Sequence, residues 1–178
     1  MITNAHIFAL YHHKGIMNIT THSLGVAHAY KIVNFKRAVR KLLAAYDEAR
    51  AALVAEVGIK DEPKFRRDLA ALRENKARTP EQDKELAAME EQDRKLAGLA
   101  GQLLAEPVSI EGVKALPYEE WKKLQDENAA DNRHPEMLSG TMTVPKRFNE
   151  DGSAEFEEVD VELLMEGILW TAPAEETE

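Results

Sequence analysis

Residues 32–57, IVNFKRAVRKLLAAYDEARAALVAEV, decide how the rest of the chain is read. Ile32, Phe35, Val39, Leu42, Tyr46, Ala49 and Leu53 follow one another at steps of 3, 4, 3, 4, 3 and 4. That alternation returns each side chain to one narrow seam of an α-helix, the pattern of a helix packed lengthwise on another helix. The natural mate is a second long helical stretch, Pro80 to Leu104, which presents Leu86, Met89, Leu96, Leu99 and Leu103 inward. Asp93 interrupts a strict heptad there, and Gly98 and Gly101 weaken the last turns or allow close approach. The sequence therefore predicts a mainly α fold: an elongated, coiled-coil-like antiparallel helical hairpin with a small α+β cap.

Local signals bracket these helices. The first is predicted from about Ala27 to Gly58, because glycine readily takes the left-handed conformation that closes a helix; Ser23 is a candidate N-cap. Asp61-Glu62-Pro63 opens a shorter helix at the hairpin tip, carrying Phe65, Leu69 and Leu72. In Thr79-Pro80-Glu81-Gln82 the N-cap, N1 and N3 positions hold the residues of a capping box. Pro107 ends the second long helix, and Val108-Ser109-Ile110 reads as a short strand broken at Gly112. Pro117 begins another helix with Tyr118, Trp121 and Leu124 on one face, and Ala129 to Pro135 reads as a loop. Thr141–Val144 and Glu155–Val159 are predicted strands joined through the turn Asn149-Glu150-Asp151-Gly152. Asp160 is a cap for a final apolar helix, Val161 to Trp170.

The expected organisation has four parts. Residues 1–16 are a loose arm or an over-extended start ahead of Met17. Residues 17–106 hold a short strand, Met17–Thr21, and the hairpin; residues 107–170 form the cap packed on it; residues 171–178 are an acidic disordered tail.

The net charge is −9, distributed as +4 over residues 1–58, +3 over 59–78 and −16 over 79–178. An acidic total argues against broad, non-specific nucleic-acid binding. A basic first helix laid against an acidic second one accounts for the asymmetry, since each neutralises the other. The chain has no cysteine, which fits a reducing cytoplasm, and no apolar run approaches the roughly 18 residues of a membrane span.

Five histidines lie early, at positions 6, 12, 13, 22 and 28, yet they form no helical His-x-x-x-His pair and no carboxylate stands at a matching spacing. They read as an arm or surface cluster, with no metal site. The acidic pairs Glu90/Asp93 and Glu119/Glu120 lie on polar helix faces, where solvated carboxylates lack the burial that general acid–base work requires. His134-Pro135-Glu136 and Ser139-Gly140-Thr141 lack the strand–turn–helix setting of a nucleophile elbow. Phosphate loops, dinucleotide fingerprints and zinc ribbons are likewise absent from the sequence. No catalytic or cofactor-binding residue is assigned, and the reading is of a non-enzymatic protein.

The candidate interaction surface begins with the cations Lys36, Arg37, Arg40 and Lys41, which lie off the seam. Leu43, Val54 and Leu99 offer a second apolar helical face, from which a homo-oligomer is expected. Trp121 and Trp170 either fill a small core or anchor an interface, and a small lobe with little else to bury favours the core.

The order of parts also carries a resemblance. Met17-Asn-Ile-Thr, a long helix ending Leu53-Val-Ala-Glu-Val-Gly58, a charged insertion, and a helix running into Glu106-Pro-Val-Ser-Ile-Glu-Gly-Val113 follow in turn. This succession resembles a group of small uncharacterised helical-hairpin proteins of tailed phages and prophages. Val159-Asp-Val-Glu-Leu-Leu-Met165 corresponds to their terminal apolar helix. The resemblance covers most of residues 17–170, and the stretch Arg133–Glu157 departs from it. The resemblance implies a phage or prophage context and no catalytic residues, and the function expected is that of a non-enzymatic protein-interaction protein, an accessory or assembly factor in the bacterial host cytoplasm. The other reading is a nucleic-acid-associated or DNA-mimicking regulator, using the basic start of the first helix or the acid-dense residues 79–178.

Overall fold

The computed structural model describes residues 1–111, 113–130, 141–148 and 154–171. Most of them are helical, and the small sheet pieces lie in the second half of the chain. The long helix α3 runs Val26–Glu56 and stops at the expected place. Gly58 has φ 81°, and the amides of Gly58 and Ile59 turn back to the carbonyls of Ala55 and Val54 at 3.0 and 3.1 Å. These two bonds satisfy carbonyls that the end of the helix would otherwise leave open.

The chain forms two compact units. Unit 1 holds residues 1–44, 107–144 and 156–178; unit 2 holds 45–106 and 145–155. The units part at residue 106, where the cap was expected to begin, and also at residue 44, inside the stretch expected to form one hairpin. The first 44 residues belong with the segment that follows Pro107, and α3 contributes to both units.

In unit 1 the loose arm expected over residues 1–16 is instead two helices, α1 (Asn4–His12) and α2 (Lys14–Asn18). Ile7, Leu10 and Ile16 are fully buried, and burial of that size holds a segment whose polar pattern looks weak. Thr3 bridges Pro107, and the Val108 amide donates to the Ile2 carbonyl at 2.8 Å. That single bridge replaces the strand expected over Val108–Ile110. The strand expected over Met17–Thr21 is absent too. Its backbone is satisfied by side chains: Asn128 bonds Thr20, and Lys36 donates to the Ile19 carbonyl.

Strand β1 (Leu116–Pro117) lies parallel to a late two-residue strand, Trp170–Thr171, with Leu116 opposite Trp170. Helix α6 follows as Tyr118–Ala130, burying Trp121 and Leu124. Strands β2 (Thr141–Phe148) and β3 (Ala154–Asp160) pair in a second sheet, and Met142 and Val144 alternate inward with exposed Thr141 and Thr143. The turn expected at 149–152, residues 131–135 of the expected loop and residues 172–178 of the expected tail lie outside the described residues, while Ala129 and Ala130 end α6 and Thr171 belongs to the late strand. Asp160 caps α7 as expected, accepting from the Leu163 amide at 3.0 Å. The helix is shorter than expected, Val161–Met165, because the chain reverses at Gly167 (φ 76°) and delivers Trp170 into the late strand, β4.

Unit 2 contains the last turns of α3, then α4 (Glu62–Glu74) and α5 (Pro80–Ala105). Asp61 caps α4, and Thr79 and Gln82 exchange the two bonds of the expected capping box at 3.3 and 3.0 Å. Val57, Ile59, Phe65, Leu69 and Leu96 form the core, with Leu53, Val54, Leu86, Met89 and Leu99 packed against it. The shorter helix expected at the tip is thus a full partner in the packing, and α4 lies antiparallel along α5.

Candidate interaction surface

The seam residues Ile32, Phe35, Val39 and Tyr46 are all buried, so the opposite side of α3 is the side turned outward. At about 100° per residue, Val26, Tyr30, Val33, Arg37, Arg40 and Lys41 gather on that outward side. Their exposure agrees. Val26, Tyr30 and Val33 are 89, 58 and 46 % exposed, and Arg37, Arg40 and Lys41 are exposed as well. An apolar patch therefore runs directly into a basic one along four turns of helix.

The five cations of this region divide by position. Lys31 donates to the Ala115 carbonyl at 2.7 Å and Lys36 to the Ile19 carbonyl at 2.9 Å. Burial, helped by the Arg40 charge, holds the Lys36 ammonium below its ordinary pKa. Both lysines flank the seam and fasten neighbouring segments. Lys36 is thus a structural residue and not the outward cation expected from sequence. Arg37, Arg40 and Lys41 make no ion pair among the described residues.

The apolar candidates are corrected more strongly. Val54 and Leu99 pack against the unit 2 core, so they are not a second outward face, and Leu43 is half-buried. Self-association loses two of the three residues from which it was expected. Trp121 and Trp170 are buried and stacked, with ring centres 6.3 Å apart and planes 13° apart; Tyr118 lies 5.3 Å from Trp170. The Trp170 indole donates to the Glu162 carbonyl at 3.3 Å. The tryptophans belong to a small core.

The remaining chemistry-bearing groups hold the fold. Thr3 donates its amide to the His6 ring, and Ile16 donates its amide to the His13 ring. Burial lowers the pKa of both histidines, which favours the neutral form that can accept. His12 lies against Phe8 with the rings tilted by 52°, and His28 pairs with Glu120 at 3.4 Å. Ser23, the expected N-cap, points elsewhere: its amide and hydroxyl donate to the Glu127 carboxylate at 3.0 and 2.6 Å. Burial raises the Glu127 pKa, and the bonds from Ser23 and the His22 amide outweigh it, so the carboxyl ends below its ordinary value.

In unit 2 a continuous chain of charges joins three helical segments. Arg50 grips Glu62 with two bonds of 2.9 and 2.6 Å; Glu62 also reaches Arg66, Arg66 pairs with Asp93, and Asp93 and Glu90 both meet Arg73. Asp93, the break in the heptad, and Glu90 are members of this network. A surface cleft of about 490 Å³ lies beside its first pair, lined by Asp47, Arg50, Val54, Ile59, Lys60 and Glu62. Its guanidinium is already held by Glu62, leaving a polar surface with no free anion receptor at that arginine. Among the described residues no group of three or more His, Asp or Glu side chains is placed to hold a metal ion, and no helix is long and apolar enough to cross a membrane.

Val26, Tyr30 and Val33 were missed by the sequence reading although their signal was present. They repeat at steps of 4 and 3 opposite the seam. No family model matches this sequence, and no curated protein or solved structure is significantly similar to it.

Proposed function

We propose that this is a non-enzymatic interaction protein whose working surface is the outward side of α3, of the accessory or assembly type encoded by tailed phages and prophages and acting in the host cytoplasm. The observation that carries the reading is the exposed run Val26–Tyr30–Val33 continuing into Arg37, Arg40 and Lys41. Contiguous apolar surface left open on a helix marks a place for a partner. The engagement of His6, His13, Glu62, Asp93 and Glu127 in caps and ion pairs supports the non-enzymatic side of it. The coiled-coil-like antiparallel hairpin of the two long helices is part of the same proposal.

A nucleic-acid-associated regulator is the second reading, favoured by the three exposed cations; its DNA-mimicking form would use the acid-dense residues 79–178. Sedimentation velocity on the whole chain with a labelled DNA duplex at low salt separates the two. The interaction reading expects free DNA, with the protein either self-assembled or available to a protein partner, and a raised frictional ratio for the hairpin. Co-sedimentation with DNA that is released as salt rises would replace it by the regulator.

A further inference from the structure

We infer that the outward stripe of α3 is a docking site for an acidic amphipathic helix of a partner protein. This rests on the interaction reading above and names the chemistry of the partner. Three features of the stripe select it.

The first is spacing. Val26, Tyr30, Val33 and Arg37 advance by 4, 3 and 4 residues, which makes a straight ridge along one side of a helix. The backbone of α3 is already bonded within itself, so it offers no edge to which an extended strand could add. Side-chain ridges of this kind interdigitate with those of a second helix.

The second is charge. Unit 2 pairs Arg50, Arg66, Arg73, Arg78 and Arg94 with carboxylates, and unit 1 ties Lys31 and Lys36 to carbonyls. Arg37, Arg40 and Lys41 form no such pair among the described residues, although the chain carries a net charge of −9. Three neighbouring cations repel a second copy of the same stripe and attract carboxylates placed at helical spacing. A self-paired stripe is thereby disfavoured.

The third is the apolar half. Of the three apolar side chains only Tyr30 has a ring on which a base could stack, and the acidic total repels a polyanion at long range. Aliphatic side chains flanking one tyrosine suit leucine-type knobs from a protein helix.

The test uses the whole chain and a displayed library of amphipathic helices, with leucine fixed along one face and the flanking positions varied among Glu, Gln and Lys. Selection should enrich Glu. The best peptide, measured by fluorescence anisotropy, should lose at least about tenfold in affinity against R37E/R40E, and again against Tyr30→Ser. These positions are exposed, so the variants should keep the parent melting temperature. The R37E/R40E protein should in turn select Lys-bearing peptides. Enrichment of Lys by the parent, equal binding of Glu and Lys peptides, or no enrichment at all overturns the inference. In any of those cases, DNA left free in sedimentation leaves the interaction reading standing, whereas DNA bound through Arg37 and Arg40 overturns both.

Discussion

Unit 1 is held by a pair of stacked tryptophans and by polar groups bonded to backbone; unit 2 is held by a small core of aliphatic side chains around Phe65 and a chain of surface charges. In unit 1 Asn128 is the sharpest instance. Its carbonyl oxygen accepts from the Thr20 amide and hydroxyl at 3.0 and 3.3 Å, and its amide donates to the carbonyls of Thr20 and Leu124 at 3.2 and 2.7 Å. A buried side chain with all its bonds made fixes one arrangement of the segments it joins. In unit 2 the corresponding connection is Arg50–Glu62–Arg66–Asp93–Arg73, whose members are partly exposed. Such pairs hold helices in register at modest gain and weaken with salt. The two units should therefore fail under different conditions.

Both tryptophans lie in unit 1, so indole fluorescence reports that unit while circular dichroism reports the helices of both. The largest expected effect is Trp121→Ala, which removes a fully buried indole and should lower the stability of unit 1 by about 3–5 kcal/mol in urea, followed through Trp170. Trp121→Phe should cost no more than about 1 kcal/mol. The indole N–H has no acceptor among the described residues, and deleting a buried unpaired donor offsets lost contact. Equal losses for the two variants would show that this N–H is satisfied in solution.

Asn128→Ala should follow, at about 1–3 kcal/mol, because the Thr20 amide is left without its acceptor. Glu62→Gln should be smaller, about 1 kcal/mol or less, and its effect should shrink as salt rises. A salt-sensitive Asn128 variant, or a salt-insensitive Glu62 variant, would break the contrast between the units.

Acid sharpens it further. His6 and His13 titrate below the ordinary 6.5 when folded, so the unfolded chain takes up those protons first. Their contribution is complete above pH 6.5 and is lost as the pH falls from there through the lowered folded values. For His6, burial is opposed by the Glu157 charge and assisted by the chain's amino terminus. Glu62 is depressed below 4.5, mainly by its bond from Arg50, so its contribution stands above pH 4.5 and fades only beneath that. On acidification, amide exchange should rise in α1 and α2 of unit 1 before it rises in α4 of unit 2. Exchange that begins in α4 would reverse this order.

Features specified by neighbours in sequence were legible: the seam, the Gly58 stop, the Thr79 capping box and the Asp160 cap each rest on residues within a few positions. The features missed depend on partners far along the chain. Ser23 is an N-cap by residue type, but Glu127, 104 positions away, takes its hydroxyl. Residues 1–16 looked unstructured because their caps are imidazole rings and their burial is tertiary. Val54 and Leu99 fell off the seam, and a third helix, α4, gives them a surface to pack on. The outward stripe could have been read locally. Its apolar half is obscured because the cations beside it dominate the off-seam pattern, and Val26, Tyr30 and Val33 carry no charge.

For a partner helix to dock as proposed, this stripe must stand open on the free chain. Tyrosine footprinting by mass spectrometry on dilute protein, checked to be monomeric, tests it directly, because Tyr30 is 58 % exposed and Tyr46 only 7 %. Tyr30 should be modified nearly as fast as in a peptide while Tyr46 is protected. A Tyr30 as protected as Tyr46 in the monomer would mean that the chain covers its own stripe and leaves no docking surface there.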